Sequence, residues 1–174
     1  MKKLIYALGM MSGLAFSACS KTDITDKIVN KIDLNYLDQA SISNTAEVDA
    51  GTLAATKATN LEVKKFAQFM VMEHTMAQSV LKDVGVRIGR VIKDTIDPAH
   101  VALKMRLLNL PAGRIFDSVY IHSQVTDHDV TIMNFRMEQT NGLNKHVINY
   151  ANTFWPHIVM HRESADSIAN AYFK

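Results

Sequence analysis

Apolar positions recur every three or four residues through most of this chain, the spacing of one helix face. Four long helices are predicted. The first runs from about Leu34 to Thr59, with Ala40, Ser43, Glu47, Ala50, Ala54 and Ala58 on one stripe and Gly51 beside it. Those small residues let a neighbour come close. Asn60 reads as an N-cap. The second helix follows from Leu61 to about Val84, with stripe Val63, Ala67, Met70, His74, Ala77, Leu81 and Val84. The third spans about Gly113 to Thr140 through Ile121, Val125, His128, Ile132 and Phe135, and Asn141-Gly142 stops it. The fourth runs from about Leu143 to Tyr172 through Phe154, Ile158, His161, Ala165 and Ile168, with a kink expected at Pro156.

Between the second and third, Gly85–Asp97 reads as a connector with one extended stretch. Asp97-Pro98 then opens a short helix to about Leu110, carrying Val101, Leu103, Leu107 and Leu108. Amphipathic helices of this kind bury their stripes against one another. The fold class is therefore all-α, a four-helix bundle with a short extra helix in the crossover. The segment from Asn60 to Ala67 echoes that from Asn144 to Ala151, which hints at a repeat of helix hairpins.

The N-terminus follows another pattern. Lys2 and Lys3 precede an apolar stretch from Leu4 to Phe16, far short of the ~20 residues that span a bilayer. This is a secretory signal, residues 1–18. Small residues Ser17 and Ala18 lead into Cys19, the only cysteine. A lone cysteine in an exported chain has no disulfide partner within it. Lipidation of Cys19 explains both its position and its solitude, and anchors the protein in a membrane. Ser20 in place of an aspartate favours the outer membrane, facing the periplasm. Residues 19–32 are polar and aperiodic and read as a tether, leaving 33–174 as the bundle. Loss of Lys2 and Lys3 takes Lys plus Arg from 19 to 17, against 17 Asp plus Glu. A near-neutral chain without a basic stripe is not a nucleic-acid binder.

The informative residues are those that interrupt the stripes. His74, His128 and His161 each fall mid-helix at a core position, and Glu47 does so on the first helix. Such positions in a bundle converge on one level. Three imidazoles and a carboxylate suit a transition metal ion (Zn, Cu, Fe or Mn). The alternative is a metal-free polar cluster in which Glu47 pairs with a protonated histidine. Glu73, Asp127 and His157 are candidate partners that orient those ligands, although a residue adjacent to a ligand points about 100° away from it on a helix. Asp117 and Tyr120 open the third helix, Asp117 either capping it or facing inward one layer from His128. Met70, Met72 and Met76 around His74 read as core and interface filler, and Trp155 as a packing anchor. No nucleophile elbow, phosphate loop or Cys pair is present.

These residues resemble a known family. Phe66-Ala67-Gln68-x-Met70-Val71-x-Glu73-His74, Phe116-Asp117-x-x-Tyr120 followed by Asp127-His128, Trp155-Pro156 followed by His161, and Glu47 followed by Gly51 and Ala54 match motifs of an exported bacterial domain-of-unknown-function family, numbered 4142. The resemblance covers about Leu34 to Phe173. It implies a ferritin-like bundle in the periplasm or on the envelope, with polar positions Glu47, His74, Asp117, His128 and His161. Ferritin-like di-iron sites use two Glu-x-x-His pairs. Here Glu73 is followed three residues on by Met76, and Glu163 by Asp166, which counts against iron oxidation or storage. The function expected is that of an envelope lipoprotein, not an enzyme, that binds a metal ion in its core or an envelope partner. A metal-dependent redox or copper-handling protein, and a purely structural or stress-related module, are the alternatives.

Overall fold

The computed structural model describes residues 24–174. The signal segment, Cys19 and the first part of the tether lie outside the described residues. Five α-helices follow a short 3-10 turn at Ile24–Lys27: α1 (Lys31–Lys57), α2 (Leu61–Ile88), α3 (Pro98–Asn109), α4 (Arg114–Asn141) and α5 (Lys145–Tyr172). α1 and α2 form one hairpin, and α4 and α5 the other. α1 faces α4 and α2 faces α5, while α3 lies across α1 and α4. Two hairpins joined by one long crossover give the bundle connectivity of ferritin-like folds. No helix among the described residues is long and apolar enough to cross a membrane.

Both hairpins turn on the same device. Asn60 Oδ1 accepts from the backbone N–H groups of Glu62 and Val63, capping α2, and Asn144 Oδ1 accepts from His146 N–H, capping α5. An aspartate in the first turn of the opposite hairpin then ties down each connection. Asp117 of α4 accepts from Thr59 N–H, Asn60 N–H and the Thr59 hydroxyl, the last at 2.6 Å. Asp33 of α1 accepts from Leu143 N–H and Asn144 N–H, both at 3.0 Å, while its other oxygen completes a capping box with Asn30. The two hairpins therefore staple each other's turns. This corrects the sequence-based reading of Asp117: it neither caps its own helix nor faces His128.

Other expectations change in detail. α2 continues past Val84 to Ile88 and ends at Gly89, whose φ of 76° is the left-handed conformation glycine adopts at no steric cost. Gly85 is therefore helical. A Cβ there would meet Arg90 O at 2.6 Å, because the chain doubles back over it. Part of the segment read as tether packs on the bundle, since Asn144 Nδ2 donates to the carbonyls of Asp26 and Ile28. Of the three methionines read as core and interface filler, Met70 is core. Only Met70 is buried among those described, and Met72, Met76, Met105, Met133, Met137 and Met160 are exposed. α5 runs unbroken through Pro156, and Trp155 packs on the core beneath the Arg136 guanidinium. The small residues of α1 act as expected: a Cβ on Gly51 would stand 3.1 Å from Ala67 O on α2.

The apolar core comes in two parts. One gathers Tyr36, Leu37, Leu81, Phe135, Tyr150, Phe154 and Ile158. The other gathers Ala54, Val63, Phe66, Met70, Leu107, Phe116, Tyr120 and Ile121. Between them along the helices lies a layer of buried polar side chains: Asn44 and Glu47 on α1, His74 and Gln78 on α2, Gln124 and His128 on α4, and His161 on α5.

A second buried acid sits at the end of the bundle. Glu138 is fully buried and pushed up to about 8, first by burial and then by the Asp33 carboxylate beside it. A carboxyl raised in the fold contributes stability that is complete below its unfolded value of 4.5 and is lost as pH rises through 8. Glu138→Gln is isosteric with the neutral form. It should leave stability near pH 5 almost unchanged and raise it at pH 8.5 by on the order of 2 kcal/mol. Urea unfolding of both chains at the two pH values checks this, and an equal effect at both would contradict it.

Candidate metal centre

Each central histidine is placed by a core register that the surrounding apolar residues set. Met70, His74, Ala77 and Leu81 lie on one stripe of α2, as do Ile158, His161 and Ala165 on α5 and Gln124, His128 and Phe135 on α4. The three rings meet. Their centroids are 5.7 Å apart for His74 and His128, 5.3 Å for His74 and His161, and 5.5 Å for His128 and His161. One nitrogen from each lies within 4.8 Å of the other two. All three residues are 1–2 % exposed.

The hydrogen bonds around the rings decide which nitrogens are available. His74 Nδ1 contacts Asn44 Oδ1 at 2.9 Å. The Asn44 amide nitrogen is already donated to Gln78 and Tyr150, so its oxygen faces the ring and His74 Nδ1 carries the proton. His128 Nδ1 donates to the Gln124 carbonyl at 2.9 Å. In both rings the lone pair is thereby left on Nε2, and neither Nε2 has a partner; nor does either nitrogen of His161. A second ring N–H held by an amide oxygen or a backbone carbonyl is the arrangement that orients imidazole ligands.

Electrostatics keep the cluster neutral. Burial lowers His74 well below its ordinary range, takes His128 to about 4 and takes His161 to about 3; neighbouring imidazoles add to the effect at His74 and His161. Glu47 moves the other way, to about 8, through burial and then the Asp127 carboxylate. Its Oε1 stands 3.9 Å from His128 Nδ1, the edge of the ring already donated to Gln124. The expected pairing of Glu47 with a protonated histidine is therefore not formed: both groups are neutral. Glu47 is also not among the residues whose ligand atoms converge, a group made up of His74, His128 and His161.

The remaining candidates divide. Glu73 Oε2 accepts from His157 Nδ1 at 2.7 Å and lies 3.9 Å from His161 Nε2, so both border the centre on the α2–α5 side. Asp127 is half-buried and faces α3, next to His100 and Asp97. Tyr120 is fully buried beside Glu47, with its hydroxyl unpartnered. Asn44, Gln78 and Gln124 are the functional neighbours that the sequence reading passed over. Asn44 and Gln78 continue a network outward, since Gln78 Nε2 donates to Ser41 Oγ and Asp94 Oδ1, and Ser41 Oγ to Lys93 O. The His74 ring is thus tied to the crossover strap at the surface.

Residues 19–168 match the family model described as a domain of unknown function, DUF4142. The chain belongs to that family. No curated protein and no solved structure matches it. The family's description carries no activity, so the chemistry of this DUF4142 chain has to be read from its centre.

The donor set fits a metal ion: three neutral imidazoles with free lone pairs and no thiolate. Without a common partner, each buried lone pair costs roughly 1–3 kcal/mol. Asn44→Ala should weaken metal binding about 10- to 100-fold by releasing the His74 ring. A competition titration with a coloured chelator measures this, and unchanged affinity would show that Asn44 does not orient a ligand.

Proposed function

We propose that this DUF4142 protein binds one first-row transition ion in its core, through His74, His128 and His161. The observation that carries the reading is that the three buried rings each bring a nitrogen within 4.8 Å of the other two, and that each ring keeps a buried nitrogen with no hydrogen-bond partner. Imidazole suits Zn, Cu, Fe and Mn ions, and the absence of sulfur ligands disfavours selection of soft ions. Three protein ligands leave a further coordination position for water or another small ligand, as in exchange-active rather than purely structural zinc sites. That open position is what supports the redox or ion-handling alternative over an inert structural module. The centre also holds the fold together, because the ion would satisfy polar groups lodged between two apolar clusters. Lipidation of Cys19 would place this centre at the envelope, on a membrane.

The test is metal analysis of the full chain, purified without a histidine tag from the membrane fraction. About one ion per chain is expected, falling to background with His128→Ala. Substoichiometric metal that His128→Ala does not change would remove the metal reading. Recovery of the chain only in the soluble fraction would count against the lipid anchor and leave the metal reading intact.

A further inference from the structure

Two flanks lead from solvent towards the three imidazoles, and they differ. Beneath α3, Glu47, Gln124, Asp127 and His100 line a small cavity. It meets His128 by way of Glu47, which faces the Nδ1 edge; the proton on that edge is committed to the Gln124 carbonyl. That flank offers an ion no free lone pair on His128. On the α2–α5 flank, metal-ligating groups succeed one another inward. His157 Nδ1 is 2.7 Å from Glu73 Oε2, and the same oxygen is 3.9 Å from His161 Nε2. Side-chain exposure falls from 39 % at His157 to 12 % at Glu73 and 2 % at His161. Among the three central rings, His161 is the one that no hydrogen bond holds. Its packing partner on this flank is Phe69, edge-on at 5.4 Å.

We propose that Glu73 and His157 form an outer loading site for a divalent first-row metal ion, from which His161 passes it to His74 and His128. This rests on the three-histidine reading of the core. A hydrated ion does not enter so dry a layer at once, because stripping its water without replacement is costly. A carboxylate oxygen and an imidazole nitrogen at the surface replace part of that shell and offset its charge. The ion takes the place of the proton that His157 Nδ1 now shares with Glu73 Oε2, and that proton leaves to solvent. The unheld His161 ring then supplies the next nitrogen inward.

Kinetics separate transit from orientation. A group used only in transit changes association and dissociation by the same factor and leaves the dissociation constant where it was. A group that orients a bound ligand changes the dissociation constant instead. The experiment is stopped-flow binding of Co(II) ions, read by their visible absorption. It uses the full chain carrying Cys19→Ser, so that no thiol competes for the probe. Glu73→Gln and His157→Gln should each slow binding and release roughly tenfold, with the dissociation constant within about twofold of the parent. His100→Gln, at the mouth beneath α3, should leave both rates unchanged. Unchanged rates in Glu73→Gln and His157→Gln would overturn the proposal. So would a dissociation constant raised tenfold at an unchanged association rate, or slowing by His100→Gln. Should Glu73→Gln fail to fold, the partly exposed His157→Gln carries the test. A parent chain that binds no Co(II) would fail the three-histidine reading itself, a result distinct from any of these.

Discussion

Three imidazoles are held together out of water, each with a nitrogen that no hydrogen bond satisfies, and the rest of the bundle is arranged around that fact. An apolar core would exclude such groups, since each unsatisfied nitrogen loses its bond to water on folding. Here the core is divided, with one apolar cluster on either side of the polar layer. Two of the three rings have their spare N–H bonded to an acceptor, Asn44 Oδ1 or Gln124 O. What is left over is an unpartnered Nε2 on His74 and on His128 and a His161 ring with neither nitrogen bonded. Buried nitrogens left without partners are costly, and an ion bound among the rings would satisfy them. Burial also keeps the rings neutral, which preserves them as ligands.

The frame that maintains this arrangement is close to a repeat. Asp33 and Tyr36 recur as Asp117 and Tyr120, Asn60 and Val63 as Asn144 and Val147, and Phe66 and Ala67 as Tyr150 and Ala151, at one constant offset. Each aspartate pins the turn of the other hairpin, so neither hairpin end is finished without its partner. The site breaks the repeat that supports it. At the same offset, His74 faces Ile158, His161 faces Ala77, and His128 faces Asn44. The first hairpin's substitute for the second hairpin's histidine is thus the residue that orients His74. A symmetric scaffold supplies stiffness, and departures from symmetry supply one centre.

Much of this was legible in the sequence, and the misses have physical causes. A period of three to four placed His74, His128 and His161 on core stripes, and each is buried there. Glu47 lay on the same pattern and is buried, yet it meets His128 on the protonated edge of the ring. Spacing along a helix gives the face of a residue but not the direction its side chain takes at the end. Asn44 and Gln124 lie one position off the predicted stripes, beside Ser43 and Val125, so their burial shows only once the neighbouring helices are placed. The role of Asp117 depends on contact between hairpins, which no local pattern encodes. The repeated Asp-x-x-Tyr was the available clue. Helix two runs past the predicted connector start at Gly85 because that glycine is helical. Its missing side chain serves the close return of the strap at Arg90 and Ile92.

The most direct test of this account is nitrogen-15 NMR of the histidine rings in the metal-free full chain, recorded from pH 7 down to 5.5. Two neutral rings protonated at Nδ1, His74 and His128, with resonances that do not move over that range, are expected because burial holds them well below their ordinary range. A central ring that is already an imidazolium at pH 7, or one that titrates near 6.5, would contradict it.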